Sequence, residues 1–267
     1  MKVKGKVFLV IGGANGMGRE LVLNLTKKGA MVVAVDINQQ GLEETKEMAG
    51  AQAPNIETVV VDITIREIIA DKKDHIINRF GHLDGIRNNA GIIQKFCHIK
   101  DMPFKDVERV MNINYYGTYN MVNAFLPYLC TRDEAHIVNV CSMGAFLPVP
   151  GQSLYGASKA AVRALTEGLM SELKGTNVHV SEVFPGAIKT DIKKNSGLKE
   201  DEETEENTNM KPIMPSEAAE IIVNGIERNK KKIIVGKDCW IMDKLCRINV
   251  FTAMNLINKA MKGRHGM

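Results

Sequence analysis

The chain has 267 residues, 45% of them hydrophobic and 25% charged, which excludes wholesale disorder, collagen and a coiled coil. With 35 Lys and Arg against 31 Asp and Glu, its net charge is +4, too small and too scattered along the sequence for a nucleic-acid partner. A chain of this length buries a substantial core without disulfides or metals.

Taken in order, strands are predicted at residues 6–11, 31–36, 57–62, 83–87, 136–141, 178–184 and 232–235, all short and rich in Val and Ile. Helical periodicity fills most of the intervals, at 19–28, 43–49 and 155–173 among others. Near-continuous apolar strands alternating with helices indicate a parallel sheet covered on both faces. Right-handed crossovers make this an α/β, doubly wound, Rossmann-like fold, with ligands expected beyond the C-terminal ends of the strands. The main domain is expected at 1–238 and an amphipathic extension at 239–267.

Lys2, Lys4 and Lys6 precede the first strand, but the apolar run from Val7 to Ile11 is shorter than the roughly 7–15 residues of a signal-peptide core. No stretch reaches the roughly 18 apolar residues of a spanning helix. Cys97, Cys130, Cys141, Cys239 and Cys246 form an odd set without a C-x-x-C pair, and the six His are dispersed. These features fit a reduced compartment and give no support to a metal site. The expectation is a cytoplasmic protein.

After the first strand comes Gly12-Gly13-Ala14-Asn15-Gly16-Met17-Gly18. The glycines let the backbone turn tightly and approach a ligand, and the N–H groups of the following helix face a pyrophosphate. The spacing G-x-x-x-G-x-G differs from the G-x-G-x-x-G fingerprint and alone is weak. Eighteen residues beyond Gly18 the second strand ends in Asp36. A carboxylate there accepts hydrogen bonds from both hydroxyls of an adenosine ribose and repels a 2′-phosphate, which points to NAD rather than NADP.

Further motifs follow in order: Asp62-Ile63 after the third strand, Asn88-Asn89-Ala90-Gly91, Asn114 in Asn-x-x-Gly117, Ser142, Tyr155-Gly156-Ala157-Ser158-Lys159, and Pro185-Gly186 with Ile188 and Thr190. With the glycine turn, they make the chain resemble the classical short-chain dehydrogenase/reductase family from Gly12 to Thr190. The resemblance implies that Tyr155, Lys159, Ser142 and Asn114 are catalytic. Physical chemistry supports those roles. Tyr155 and Lys159 are four apart and share a helix face. A tyrosine of pKa near 10 is a poor base at neutral pH, and a nearby ammonium favours its phenolate. Tyr155 would then take a proton from an alcohol or give one to a carbonyl. Ser142, at a strand end, would hold the same oxygen.

By the same resemblance, Lys159 also binds the nicotinamide ribose, and Asn114 holds a water that links Lys159 to solvent. The glycine turn (Gly12, Asn15, Gly16, Met17, Gly18) and Asp36 with Ile37 would take the pyrophosphate and adenosine. Asp62 would contact the adenine amino group, with Ile63 offering its backbone, and Asn89, Ala90 and Gly91 would line the adenosine side. Pro185, Gly186, Ile188 and Thr190 would surround the nicotinamide. Two departures stand out. Ile11 replaces the family's usual Thr, which leaves the bracing of the first strand against the Asn88-Asn89 turn in question. Arg87 sits in a central strand where an aliphatic residue is usual; its stem is expected against a helix and its head in solvent.

The substrate pocket is expected around Gln94, Ser142, Met143, Gly144, Ala145, Phe146, Leu147, Val149, Gln152, Tyr155 and Ile192, under a cover at 191–215. No Arg stands out as a carboxylate clamp, so an apolar alcohol or ketone fits best. Within the cover, residues 200–206 hold six acids and read as a solvated loop. From Trp240 to Lys262, apolar residues recur three or four apart with basic residues opposite. Packing on the core or a neighbouring subunit is the favoured reading of this tail, ahead of membrane contact. The family resemblance implies a homodimer or homotetramer through the helices at 102–129 and 155–173.

The leading functional expectation is an NAD(H)-dependent oxidoreductase interconverting a secondary alcohol and a ketone, such as a hydroxysteroid. A 3-oxoacyl-thioester reductase is the runner-up; such enzymes prefer NADPH and often carry basic residues near the glycine turn, which Asp36, Ala14 and Asn15 do not supply. A non-catalytic NAD(H)-binding regulator is the alternative from another class, against which the intact Ser142, Tyr155, Lys159 and Asn114 count.

Overall fold

In the computed structural model the described residues are 1–190, 192–198 and 212–261. Among them, seven parallel strands form one sheet: β1 (Val7–Ile11), β2 (Met31–Asp36), β3 (Ile56–Val60), β4 (Gly85–Asn88), β5 (Ala135–Val140), β6 (Val178–Pro185) and β7 (Lys232–Val235). Their order is β3-β2-β1-β4-β5-β6-β7, so the winding reverses between β1 and β4. Every predicted strand is present, with most ends shifted by one or two residues.

The helices are α1 (Gly16–Lys27), α2 (Gln39–Met48), α3 (Arg66–Asn78), α4 (Phe104–Met111), α5 (Thr118–Leu129), α6 (Ser153–Glu172), α7 (Ile192–Asn195), α8 (Pro215–Glu227), α9 (Lys237–Ile248) and α10 (Val250–Met261). Successive strand side chains point to opposite faces, and each face has its own core. Phe8, Val10, Val32, Ala34, Val138, Val140 and Val183 pack under α1 and α8, against Leu21, Val22, Leu25, Ile222 and Ile226. Val7, Leu9, Ile11, Val33, Val35, Ile86 and Ile137 pack against Ile69, Ile76, Met121, Phe125 and Leu129 of α3 and α5. Each such side chain stabilises by roughly 1.5–3 kcal/mol on burial, so these two layers hold the sheet.

The missing Thr at position 11 is offset by other bonds. Ile11 is buried, its carbonyl accepts from Asn89 N at 3.1 Å, and Asn89 Nδ2 reaches Gly12 O at 3.4 Å. Asn88 Nδ2 donates to Asn139 Oδ1 at 2.7 Å, and Asn139 in turn donates to Thr166 Oγ1 at 2.9 Å. The turn after β4 is therefore tied to β5 and α6 by a polar chain.

Arg87 corrects the expectation made for it. Its head does not reach solvent: the residue is 0% exposed, on the α1/α8 face. Nη1 donates to His136 O at 2.6 Å and Ile86 O at 3.0 Å, and the guanidinium lies 4.3 Å over the Phe8 ring. Gly85 makes room, since a Cβ there would stand 2.9 Å from Nη1. Nε and Nη2 have no partner among the described residues, and burial lowers the Arg87 pKa to about 9.

The C-terminal segment departs from a single helix. Asn249 takes an extended backbone between α9 and α10, and its side chain accepts from Thr252 N at 3.1 Å, capping α10. The apolar period runs unbroken through the break, so periodicity alone did not reveal it. α9 begins at Lys237, inside the expected boundary at 238/239.

Candidate active site

A cavity of about 1060 Å³ opens above the C-terminal ends of the strands, at the switch between β1 and β4. The glycine turn forms one wall. Gly12 has φ +82°, and a Cβ on it would stand 2.9 Å from Ala90 Cα. A Cβ on Gly18 would overlap the Gly12 carbonyl oxygen, so α1 can start this close to β1 only with glycine there. Gly16, at φ +52°, has only Thr190 near it among the described residues, at 3.7 Å, and faces the cavity. Behind the turn, Arg19 Nε donates to Ala14 O at 3.0 Å and Thr45 Oγ1 donates to Gly13 O at 2.9 Å.

Asp36 ends β2 at the cavity edge. Its Oδ2 accepts from Ala14 N at 3.1 Å and its Oδ1 from Asn38 N at 3.0 Å, which orients the carboxylate and leaves lone pairs free. Ile37, Asp62, Ile63, Asn89, Ala90 and Gly91 continue this wall. Asp62 Oδ1 accepts from Thr64 N and Oγ1, at 2.9 and 2.7 Å. Asn89 Oδ1 is buried with no partner among the described residues. A backbone cradle that side chains would fill, a strand-end carboxylate and an unpaired amide oxygen fit the residues to a dinucleotide.

Ser142, Tyr155 and Lys159 form the facing wall, with Pro185, Gly186, Ile188 and Thr190 beside them. Ser142 follows β5, and its Oγ accepts from Gly144 N at 3.1 Å. Tyr155 and Lys159 lie on α6. Burial raises the Tyr155 phenol above its ordinary value, and its hydrogen bond with Ser142 opposes that rise. Lys159 Nζ donates to Val140 O at 2.9 Å. Burial lowers Lys159 itself to about 8.

Asn114 stands just behind this wall, fully buried in a π-helical turn between α4 and α5. Its Nδ2 donates to Ile92 O and Ser158 Oγ, both at 2.9 Å, and its Oδ1 accepts from Ile92 N at 2.8 Å. A Cβ on Gly91 would lie 3.0 Å from Lys159 Nζ and 3.3 Å from Asn114 Oδ1, so both groups border the same glycine and a side chain there would crowd them.

Most of the predicted site residues therefore meet at one cavity, including Asn15, Met17, Gly144 and Gln152. Gly18 and Asn114 support the wall from behind. Gln94 does not line the cavity: it is buried, and donates to Gly151 O at 3.2 Å while Gln152 donates to its carbonyl at 2.9 Å. Met143, Val149 and Ile192 line the cavity as expected, whereas Ala145 and Phe146 pack with Phe184 in the core and Leu147 is fully buried.

The cover at 191–215 is described in part; its acidic run at 200–206 lies outside the described residues. α7 sits on the cavity, with Asn195 Nδ2 donating to Asn15 Oδ1 at 3.0 Å. Ser196 Oγ accepts from Ile93 N at 3.0 Å, and Arg109 Nη2 donates to Ser196 O at 3.0 Å. Its other end pairs Ile213 with Ile188 in parallel. Sequence reasoning missed two basic residues in the lining, Arg109 and Lys194. Arg109 follows Lys105, Asp106 and Glu108 on α4 and reads in sequence as part of a solvated face.

No group of His, Cys, Asp or Glu among the described residues could hold a metal ion. Sheet order and a cavity at the switch point make this a dinucleotide-binding α/β protein. Residues 6–201 match the short chain dehydrogenase family, and the chain belongs to that family of oxidoreductases. It is 33% identical over 252 residues to the putative oxidoreductase SadH of Mycobacterium tuberculosis, covering 92% of this chain and 91% of that one. It is also 33% identical over 190 residues to the 3-oxoacyl-[acyl-carrier-protein] reductase FabG of Thermotoga maritima, covering 71% and 77%. A short chain dehydrogenase from Burkholderia cenocepacia J2315, solved in complex with NADP, superposes with a TM-score of 0.79 at 26% identity, covering 96% of this chain and 99% of that one.

Proposed function

We propose that the protein interconverts a secondary alcohol and a ketone with NAD(H), on a substrate with a large apolar body. The observation that carries this reading is the convergence of Ser142, Tyr155 and Lys159 on the cavity whose opposite wall holds the glycine turn and Asp36. When bound, the nicotinamide cofactor supplies or accepts the hydride. The chain's own residues handle the oxygen and its proton. Ser142 Oγ, oriented by Gly144 N, hydrogen-bonds the substrate oxygen. Tyr155 takes the proton from that oxygen in oxidation and returns it in reduction. The Lys159 ammonium stabilises the phenolate as it forms and holds the ribose hydroxyls. One water between Lys159 Nζ and Asn114 Oδ1, which both lie against Gly91, carries the proton onward.

Asp36 supports NAD over NADP, because a 2′-phosphate would meet its carboxylate with no basic residue next to it in sequence. Met143, Val149 and Ile192 supply apolar contacts for the substrate. Exposed Phe104, Tyr116 and Tyr119 on and between α4 and α5 support a homodimer or homotetramer through these helices. A second reading, reduction of a 3-oxoacyl thioester, is favoured by Arg109 and Lys194 in the lining, which suit an acyl chain ending in an anionic carrier group. The two are separated by NADH and NADPH binding, followed by turnover on hydroxysteroids, aliphatic secondary alcohols and β-ketoacyl thioesters. NAD⁺-dependent alcohol oxidation or NADH-dependent ketone reduction supports the first reading; clear NADPH preference with thioester reduction overturns it in favour of the second.

A further inference from the structure

The C-terminal helices carry a surface that the oxidoreductase chemistry does not use. α9 is fixed at its root, where the Asp238 carboxylate accepts from Ala187 N at 2.6 Å. Five residues on, Asp243 pairs with Lys232 at 2.6 Å, so α9 runs back along the edge strand β7. Its inner side packs through Cys239. Its outer side leaves Trp240 55% and Ile248 85% exposed, with Lys244 between them. α10 meets α9 and buries Ala253, yet leaves Phe251 71% exposed and Met254 and Leu256 open as well. Single exposed apolar residues are ordinary, but several on two successive helices mark an interaction surface. The expected packing on the core is therefore seen for α9, while α10 leaves most of its apolar side chains exposed on this chain.

Charge indicates what covers this surface. Residues 237–267 contain six Lys and Arg and two acids. Their excess of four equals the net charge of the whole chain, which leaves the other 236 residues neutral. Both acids are committed, Asp238 to Ala187 N and Asp243 to Lys232 and Arg247. Lys244 and Lys259 pair with no acid among the described residues. Aromatic and aliphatic side chains mixed with unpaired cations on short helices complement a negatively charged lipid surface. A second copy seated two-fold on this face would set cation against cation. No helix among the described residues is long and apolar enough to cross a membrane.

We propose that α9 and α10 dock the protein on an anionic phospholipid surface, with Trp240 and Phe251 at headgroup depth. No described residue of either helix lines the cavity, so docking and turnover are separable. The test is flotation of the full chain with phosphatidylcholine vesicles, alone or containing about one-third phosphatidylserine. The protein should float with the mixed vesicles only, and rising salt should release it. Lys244→Glu with Lys259→Glu should lower partitioning by about fivefold or more per residue changed. Phe251→Asp should lower it even at low salt, while circular dichroism and NADH binding stay as in the parent. If Phe251→Asp fails to fold, the exposed lysine pair still decides the matter. Absence of flotation with phosphatidylserine, or equal flotation of the lysine variant, overturns the proposal. So does a parent that sediments as an oligomer, does not float, and dissociates on Phe251→Asp, which would make a second copy the occupant.

Discussion

Lys159 and Arg87 are both buried cations with no carboxylate beside them, and burial lowers both, to about 8 and about 9. They differ in what lies next to them. Lys159 borders the cavity, with the Tyr155 phenol on the same helix face and Gly91 leaving it room. Arg87 is sealed on the α1/α8 face, with two carbonyls and the Phe8 ring as its only partners among the described residues. A buried cation is a sign of chemistry only where it shares a cavity with a group whose protonation must change. Elsewhere it is a packing solution, here made affordable by Gly85 and a cation–π contact.

The comparison can be broken most sharply at Tyr155 and Lys159. Tyr155→Phe should lower kcat by about a thousandfold or more while nucleotide binding persists, as read by steady-state kinetics and NADH fluorescence. Lys159→Met should lose turnover and also weaken NADH binding. Next in size is Asp36→Ala, which should weaken NADH binding by about tenfold or more, the worth of hydrogen bonds to a charged group. NADPH binding should weaken less or improve, so the ratio of the two dissociation constants is the readout.

A smaller effect separates the two cations by pH. Below about 8 Lys159 keeps its proton and can stabilise the Tyr155 phenolate left after proton donation. In the carbonyl-reduction direction kcat/KM should therefore fall as pH rises through about 8. A flat profile up to pH about 9 would remove the Lys159 charge from the mechanism. The smallest effect belongs to Arg87→Met. Replacing a buried, half-satisfied charge with an apolar side chain of similar volume is often neutral or stabilising. Its melting temperature should be unchanged or higher, and kcat unchanged; loss of turnover with the fold intact would make Arg87 functional and end the comparison.

The strands were legible because both faces of a parallel sheet are buried, which makes each one an apolar run. Their ends were less so, because the hydrogen-bond ladder sets them and extends to residues such as Asn88 and Pro185 that interrupt the Val and Ile runs. The glycine-turn wall of the cavity was legible because a left-handed turn demands glycine and the helix and strand that follow bring Asp36 to the same edge. Gln94 was misplaced because no local pattern shows that a loop glutamine turns inward to Gly151. Arg109 was missed because what distinguishes it, the Ser196 carbonyl of the cover, is 87 residues away. Arg87 was misjudged for a similar reason: its ring partner is on β1 and its carbonyl partner on β5.

The account stands or falls on NADH-linked turnover passing through Tyr155. The direct measurement is NADH binding and alcohol or ketone turnover on the parent and Tyr155→Phe side by side. Undiminished NADH binding with turnover present in the parent and lost in the variant is the predicted result. Turnover that survives in Tyr155→Phe, or a parent that does not bind NADH, would contradict it.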